Sequence, residues 1–425
     1  MRHVVLEIGL FCASAPVICA QSLIVPDNTV RTVIALSASD GTLEAAGFMD
    51  LDDGLIASNR PYQAAIVGNE LWFTDDVTSR VTRWNSYGSV QLGAIDLAPH
   101  RLRGITAAFG SVWVGGGNPS GTIPDFLIQL TPSGALVAQH PMPGVINGVT
   151  AFGNQLLVGD ADHHDLLLVD PATGAITGTF HNSNGFNDVS NPGQIVVEPN
   201  GHVLVASGLF PGGVWEYDST GNQVAFFDTS SLPQNGSVAG VARLGDGDLL
   251  FTTGTGVYRY GVSTHQIELV IGSLIPYYFA TVPSIPLGTT VCSPGVANST
   301  GRAGTVTAVG SNVVADSAVR LCAQDLPLAA TGYFLASTTA GHVPNAGGSQ
   351  GTLCLGGSVG RFNQQIGFTG NDGFFSITVD PHAVPQPSGA IAIMAGETWR
   401  FQCWHRDVNP TVTSNFTDAT EVTFQ

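Results

Sequence analysis

A unit of forty-odd residues recurs along the first two thirds of the chain, and this periodicity constrains the fold more than any other feature. Its first half is a pair of short β runs around a Gly or Asn turn. The copies read AAIVGNELWFTDD (Ala64–Asp76), GITAAFGSVWVGG (Gly104–Gly116), GVTAFGNQLLVGD (Gly148–Asp160), QIVVEPNGHVLVAS (Gln194–Ser207) and GVARLGDGDLLFTT (Gly240–Thr253). The second half is another strand pair, as in LLLVDPATGAI (Leu166–Ile176) and VWEYDSTGNQV (Val214–Val224). The equivalent positions Ala65, Gly104, Gly148, Gln194 and Gly240 stand 39, 44, 46 and 46 residues apart. That is the length of four antiparallel strands with their turns.

Five units are complete, and a sixth can be assembled from both ends. Val30–Met49 carries the second-half pattern with its Ser39-Asp40-Gly41-Thr42 turn, and Tyr277–Pro283 can supply inner strands. A ring closed in this way exposes no sheet edge. Past Pro283 the period stops, and eight short alternating runs follow, among them SAVRLCA, GTLCLGG, GFFSITVD and TWRFQCWHRD. The expected fold is all-β. It comprises a six-bladed β-propeller over residues 25–283, a linker at 284–291, and a disulfide-stabilised β-sandwich or jelly-roll-like domain over 292–425. The repeating aromatics Trp72, Trp113, Trp215 and Tyr258 fall inside strands and are expected to pack between blades.

Composition narrows the partners. The formal net charge is −18, and all 14 basic residues are Arg. No basic stripe exists to neutralise phosphates or an anionic membrane surface, so nucleic acid is excluded as a partner. Without Lys there is no amine for Schiff-base chemistry. Residues 1–20 (MRHVVLEIGLFCASAPVICA) are expected to be a signal peptide, with a short basic start and an apolar run before Ala20. A start codon assigned within a longer signal is the other reading. Beyond it no stretch reaches the ~18 apolar residues a membrane helix requires. The expected location is therefore secreted, extracellular or cell-surface. Cys292, Cys322, Cys354 and Cys403 remain after the signal and read as two disulfides, with three pairings open.

Two resemblances extend this reading. CSPGVANSTG (Cys292–Gly301), NAGGSQGTLCLGGSVGRF (Asn345–Phe362) and GETWRFQCWHRD (Gly396–Asp407) resemble a C-terminal module that recurs in large secreted proteins of planctomycete-like and myxobacterium-like bacteria. It implies an extracellular β module attached to varied partner domains. GITAAFGSVWVGG and LLLVDPATGAI resemble blades of NHL-like, gluconolactonase-like and streptogramin-lyase-like propellers, a likeness that implies the fold and is shared by many non-enzymes.

The sharpest cluster of candidate ligands is Asp160, Asp162, His163 and His164, just after an inner strand pair, with Asp75 in the matching loop of an earlier unit. Carboxylates and imidazoles of this kind suit Ca²⁺ or another divalent cation. The equivalent loops of other units, GGGNPSG and SGLFPGG, offer few ligands. A lyase-like general base would come from His202 or His265, and both sit in turns between strands. Trp404, His405 and Arg406 form a second candidate binding site, in which an aromatic ring beside a guanidinium stacks on a sugar or a partner chain. The sequence thus predicts a secreted binding or structural protein that uses the propeller face to contact a protein or glycan at the cell surface, and predicts that it is not an enzyme. The alternative is a metal-dependent lactonase-like hydrolase at the propeller channel.

Overall fold

The computed structural model describes residues 21–29, 31–51, 60–85, 91–118, 124–283, 286–317, 319–370 and 373–425. The expected signal peptide lies outside the described residues. Six four-stranded antiparallel sheets follow one another in chain order. The first begins with β1 (Gln21–Pro26), β2 (Thr32–Ser37) and β3 (Leu43–Asp50). The second is β4 (Pro61–Val67), β5 (Glu70–Asp75), β6 (Arg80–Asn85) and β7 (Gln91–Asp96). The third is β8 (Arg101–Ala108), β9 (Ser111–Gly117), β10 (Asp125–Leu130) and β11 (Leu136–Met142). The fourth is β12 (Ile146–Phe152), β13 (Gln155–Asp160), β14 (Leu166–Val169) and β15 (Ile176–His181). The fifth is β16 (Pro192–Val197), β17 (Val203–Ser207), β18 (Gly213–Tyr217) and β19 (Gln223–Asp228). The sixth is β20 (Val241–Arg243), β21 (Leu249–Thr253), β22 (Gly256–Tyr260) and β23 (Ile267–Gly272). The chain then returns as β24 (Ala280–Pro283), which pairs antiparallel with β1, Leu23 opposite Thr281.

The second strand of each repeat explains why these sheets stack. Its residues are apolar on both faces, and side chains alternate between faces with a period of two. Leu71 and Phe73 of β5 pack toward the first sheet, whereas Trp72 packs toward the third. In β9, Val112 and Val114 face the second sheet and Trp113 the fourth. Leu157 of β13 and Val203 of β17 share the cluster between the fourth and fifth sheets, and Leu204 and Phe251 the next one. The last cluster joins Leu250, Val257 and Phe279 to Leu23, Val25 and Ile34, so the sixth sheet packs on the first and the order is cyclic. The fourth strands, such as β7 and β11, are largely exposed. Trp72, Trp113 and Trp215 are buried, as the strand pattern predicts.

The remaining strands are β25 (Pro286–Leu287), β26 (Thr289–Val291), β27 (Thr305–Gly310), β28 (Val319–Gln324), β29 (Thr331–Ser337), β30 (Thr339–Pro344), β31 (Thr352–Gly356), β32 (Gly360–Arg361), β33 (Gly367–Phe368), β34 (Phe375–Val379), β35 (Thr398–Val408) and β36 (Val412–Thr423). One sheet has the order β25-β27-β28-β34 and another β26-β36-β35-β29-β32, with β33 also on β29; β30 and β31 form a hairpin. The two larger sheets close on one apolar core that includes Leu321, Ile377, Phe334, Trp399 and Phe401, a sandwich-like pair.

Three expectations change here. The stretch read as a linker, 284–291, carries strands β25 and β26, because Thr289–Val291 finds a ladder partner in β36. The first sheet begins at Gln21, ahead of the expected boundary at residue 25. Cys292 and Cys354 are disulfide-bonded, and Cys322 is oxidised as well, but Cys403 is a free thiol. The alternation of β35 points Cys403 into the core with Trp399 and Phe401. Burial pushes its thiol well above the usual range, which favours the protonated form.

Candidate functional site

The acidic loop residues singled out in the sequence hold their own turns. Asp75 and Asp160 are the last residues of β5 and β13. Asp75 accepts the backbone N–H groups of Arg60 (2.6 Å), Val77 (2.8 Å) and Thr78 (2.6 Å). Asp160 is buried and accepts those of Asp162 and His163, both at 3.1 Å, with His163 Nδ1 at 2.9 Å. Asp162 accepts from the Val145 amide, and His164 Nδ1 accepts the Asn191 N–H at 3.0 Å. The same position in the fifth and sixth sheets is Ser207 and Thr253, whose hydroxyls accept the amides of Ser190 (3.1 Å) and Thr255 (3.2 Å). A polar acceptor at the end of the second strand is thus a repeated turn device. Asp75 and Asp160 belong to sheets two and four.

Among the described residues, three candidate ligand atoms come within 4.8 Å of one another at Glu198, His202 and Glu216. The local sequence builds this cluster. In EPNGH, Pro199 suits the second position of a tight turn, and Gly201 takes φ 86°, a region only Gly occupies freely. The turn closes with Gly201 N–H on Glu198 O at 2.9 Å and Glu198 N–H on His202 O at 2.8 Å, which brings residues 198 and 202 side by side. The β17–β18 register sets Leu204 opposite Glu216 and delivers the third member. His202 Nδ1 lies 2.7 Å from Glu216 Oε1. Arg243, on β20, binds both carboxylates: Nε to Glu198 Oε1 at 2.7 Å and Nη2 to Glu216 Oε2 at 2.9 Å. Burial works against the Arg243 charge, yet the two glutamates hold its basicity above the ordinary value.

Two carboxylates and an imidazole suit a divalent cation, in keeping with the Ca²⁺ or similar ion the sequence predicts. The two carboxylates against the one guanidinium of Arg243 leave one net negative charge. Arg243 therefore shares the carboxylates with any bound cation. Sequence reading weighed His202 only as a candidate general base in a turn and missed both glutamates, because the three converge only when the β16–β17 and β17–β18 registers are known. The other histidine considered there, His265, has Nδ1 3.1 Å from the Tyr260 hydroxyl.

A cavity of about 480 Å³ lies at the other end of β16. Gly193, beside its first residue, lines the cavity, whereas Glu198 follows its last. Segments leading into the inner strands converge here: Tyr62, Arg103, Asn147 and Asn191, with Tyr277 and Tyr278 from the approach to β24. Tyr62 stacks on Tyr277 at 4.1 Å and meets Tyr278 edge-on at 4.9 Å. Arg103 Nη1 donates to Asn147 Oδ1, and Asn147 Nδ2 to Asn191 Oδ1 at 2.9 Å. Asp76, behind the cavity, lies 3.5 Å from Arg103 Nε and 3.3 Å from Arg60 Nη1. Burial pushes the Tyr62 phenol to about 12, with Arg103 opposing, so the phenol stays neutral.

The C-terminal candidate site is mostly closed. Trp404 has Tyr333 stacked at 4.8 Å and the Arg406 guanidinium 5.2 Å from its ring. His405 is wholly buried, so the expectation that it meets an external partner is corrected: it falls on the core side of β35. Arg406 is exposed.

The sequence expectation of a protein without enzymatic activity is likewise corrected by the Glu198–His202–Glu216 cluster. An all-β architecture that brings these groups together supports a catalytic role better than a purely structural one. Among the described residues no helix is long and apolar enough to cross a membrane.

No family model matches the chain. No curated protein matches it either. Among solved structures, the chain is similar to a protein of unknown function from Bacteroides caccae, with 12% identity over 62% of this chain and 99% of that one, TM-score 0.46. It is similar to a chain of a nidogen/laminin complex, with 12% identity over 61% and 98%, TM-score 0.48. A gluconolactonase from Xanthomonas campestris shares 18% identity over 54% and 78%, TM-score 0.42. At these values the functional reading rests on the side-chain geometry alone.

Proposed function

We propose that this chain is an exported, divalent-cation-dependent hydrolase of the ester or lactone class. In this reading residues 21–283 form a six-bladed propeller, and the C-terminal sheets form an appended jelly-roll-like module. The cyclic packing of six sheets supports the first part. One observation carries the catalytic reading, the convergence of Glu198, His202 and Glu216. It moves the reaction centre from the channel mouth to the β16–β17 hairpin.

A cation held by these three side chains would polarise a carbonyl and lower the pKa of a bound water. The protein's own groups prepare for that chemistry. Glu216 Oε1 accepts from His202 Nδ1, which fixes the tautomer and leaves the lone pair on Nε2. His202 is one-third exposed, whereas Glu198 and Glu216 are largely buried and held in line by Arg243. The test is a panel of aliphatic and aromatic esters and lactones, offered to the full chain with and without chelator. The expected result is turnover that chelator abolishes and added cation restores, falling at least about tenfold in Glu216→Gln. No turnover across the panel, or turnover indifferent to chelator, overturns the reading.

A further inference from the structure

The cavity at the start of the inner strands is independent of the cation cluster, and its chemistry points elsewhere. Among the described residues Arg103 is its only charged lining residue; the rest are Tyr, Asn, Gly, Ser, Thr and apolar groups. In a chain of net charge −18 this is a local reversal of sign. Behind the wall, Arg60 and Arg103 share the one carboxylate of Asp76, so the three groups together carry one positive charge. Arg103 Nε and Asp76 Oδ1 face one another at 3.5 Å, both buried, so that edge of the guanidinium is turned to Asp76.

The amide chain adds direction. Arg103 donates to Asn147, and Asn147 donates to Asn191, so the Asn191 amide nitrogen is the next donor in line. The tyrosines beside it are neutral and can donate to an oxygen but cannot attract a cation as phenolates. Tyr277 stacks face to face on Tyr62, and the Arg103 guanidinium carbon lies 5.8 Å from the Tyr62 ring, so the stack presents an aromatic surface beside the guanidinium. Planar unsaturated groups pack on such a surface better than puckered ones.

We propose that this cavity binds a small organic monoanion, a carboxylate on a planar aromatic or conjugated body, with the carboxylate on Arg103 and the Asn191 amide and the flat part against the Tyr62–Tyr277 stack. Its size is in the range of small-ligand sites. The binding does not depend on the hydrolase reading, since the cluster at Glu198 lies at the far end of β16.

Calorimetric titration of the full chain with benzoate, cinnamate, benzamide, cyclohexanecarboxylate and inorganic phosphate decides the matter without any variant. Benzoate and cinnamate are expected to saturate at one per chain. Benzamide, which lacks the charge, and cyclohexanecarboxylate, which lacks the planar ring, are each expected to bind about tenfold more weakly. Chelator is expected to leave these affinities unchanged. Tyr277→Leu, which keeps the backbone carbonyl that Thr252 binds, should erase the preference for the planar ring and retain that for the charge. Arg103→Met should erase the preference for charge. Equal binding of benzamide and benzoate, tighter binding of phosphate, or no saturation by any carboxylate at millimolar concentration overturns the proposal.

Discussion

At the scale of single residues, polarity in this chain has three fates, and the sequence does not separate them. Asp160 and Asp75 resemble metal ligands but serve as turn acceptors, satisfied by backbone amides. Glu198, His202 and Glu216 look like ordinary surface polarity and converge. His405 reads as a surface group beside Trp404, yet it is buried with neither ring nitrogen partnered. That burial has a pH signature. Burial lowers the His405 pKa from 6.5 to about 4, with Asp407 opposing. The folded chain therefore keeps the imidazole neutral while the unfolded chain protonates it. Stability from this site is present above pH 6.5 and is lost as the pH falls toward 4. Asp418 works in the opposite sense: burial raises it from 3.8 to about 6, so its contribution fades as pH rises through that window. His405→Leu isolates the first effect. Relative to the wild-type chain, its urea stability at pH 5 is expected to exceed that at pH 7.5 by about 2 kcal/mol. Parallel pH curves for the two proteins would contradict this.

At the scale of elements, the period-two pattern carries most of the fold. Leu71-Trp72-Phe73 is apolar at every position because β5 is buried on both faces, each face belonging to a different inter-sheet core. This is legible in sequence, as are the turns that bound it. The cation cluster is not legible in the same way, because nothing local relates Glu216 to the EPNGH turn. Cys403 shows the same limit from the other side. Cysteine count and compartment favour a disulfide, but strand alternation decides where the thiol points. Ring closure depends on one short element. Val282, on β24, is buried against the core shared by the first and second sheets. Val282→Asp is expected to destabilise the chain by more than about 3 kcal/mol, by burying an unpaired charge at the seam. The check is a thermal melt beside Val282→Ile, which should stay within about 1.5 kcal/mol of wild type. A small effect of the aspartate would mean that β24 does not hold the ring.

At the scale of the whole molecule, the six sheets and the C-terminal pair meet through Arg320. Its guanidinium bonds the Ser37 hydroxyl, lies 3.3 Å from Asp40, and also binds Ser376. That contact joins the first sheet to β28. The central claim concerns the fifth sheet, where Arg243 and a divalent cation compete for Glu198 and Glu216. Titration of Zn²⁺, Mn²⁺ and Ca²⁺ into the wild-type chain, Arg243→Met and Glu198→Gln/Glu216→Gln tests it most directly. The expected result is one site in the wild type for at least one of these ions, about tenfold tighter in Arg243→Met because the competing charge is gone, and absent in the double variant. If no ion binds the wild type or Arg243→Met, or if the double variant binds as well as the wild type, the cluster is an ion-pair network around Arg243 and the catalytic account fails.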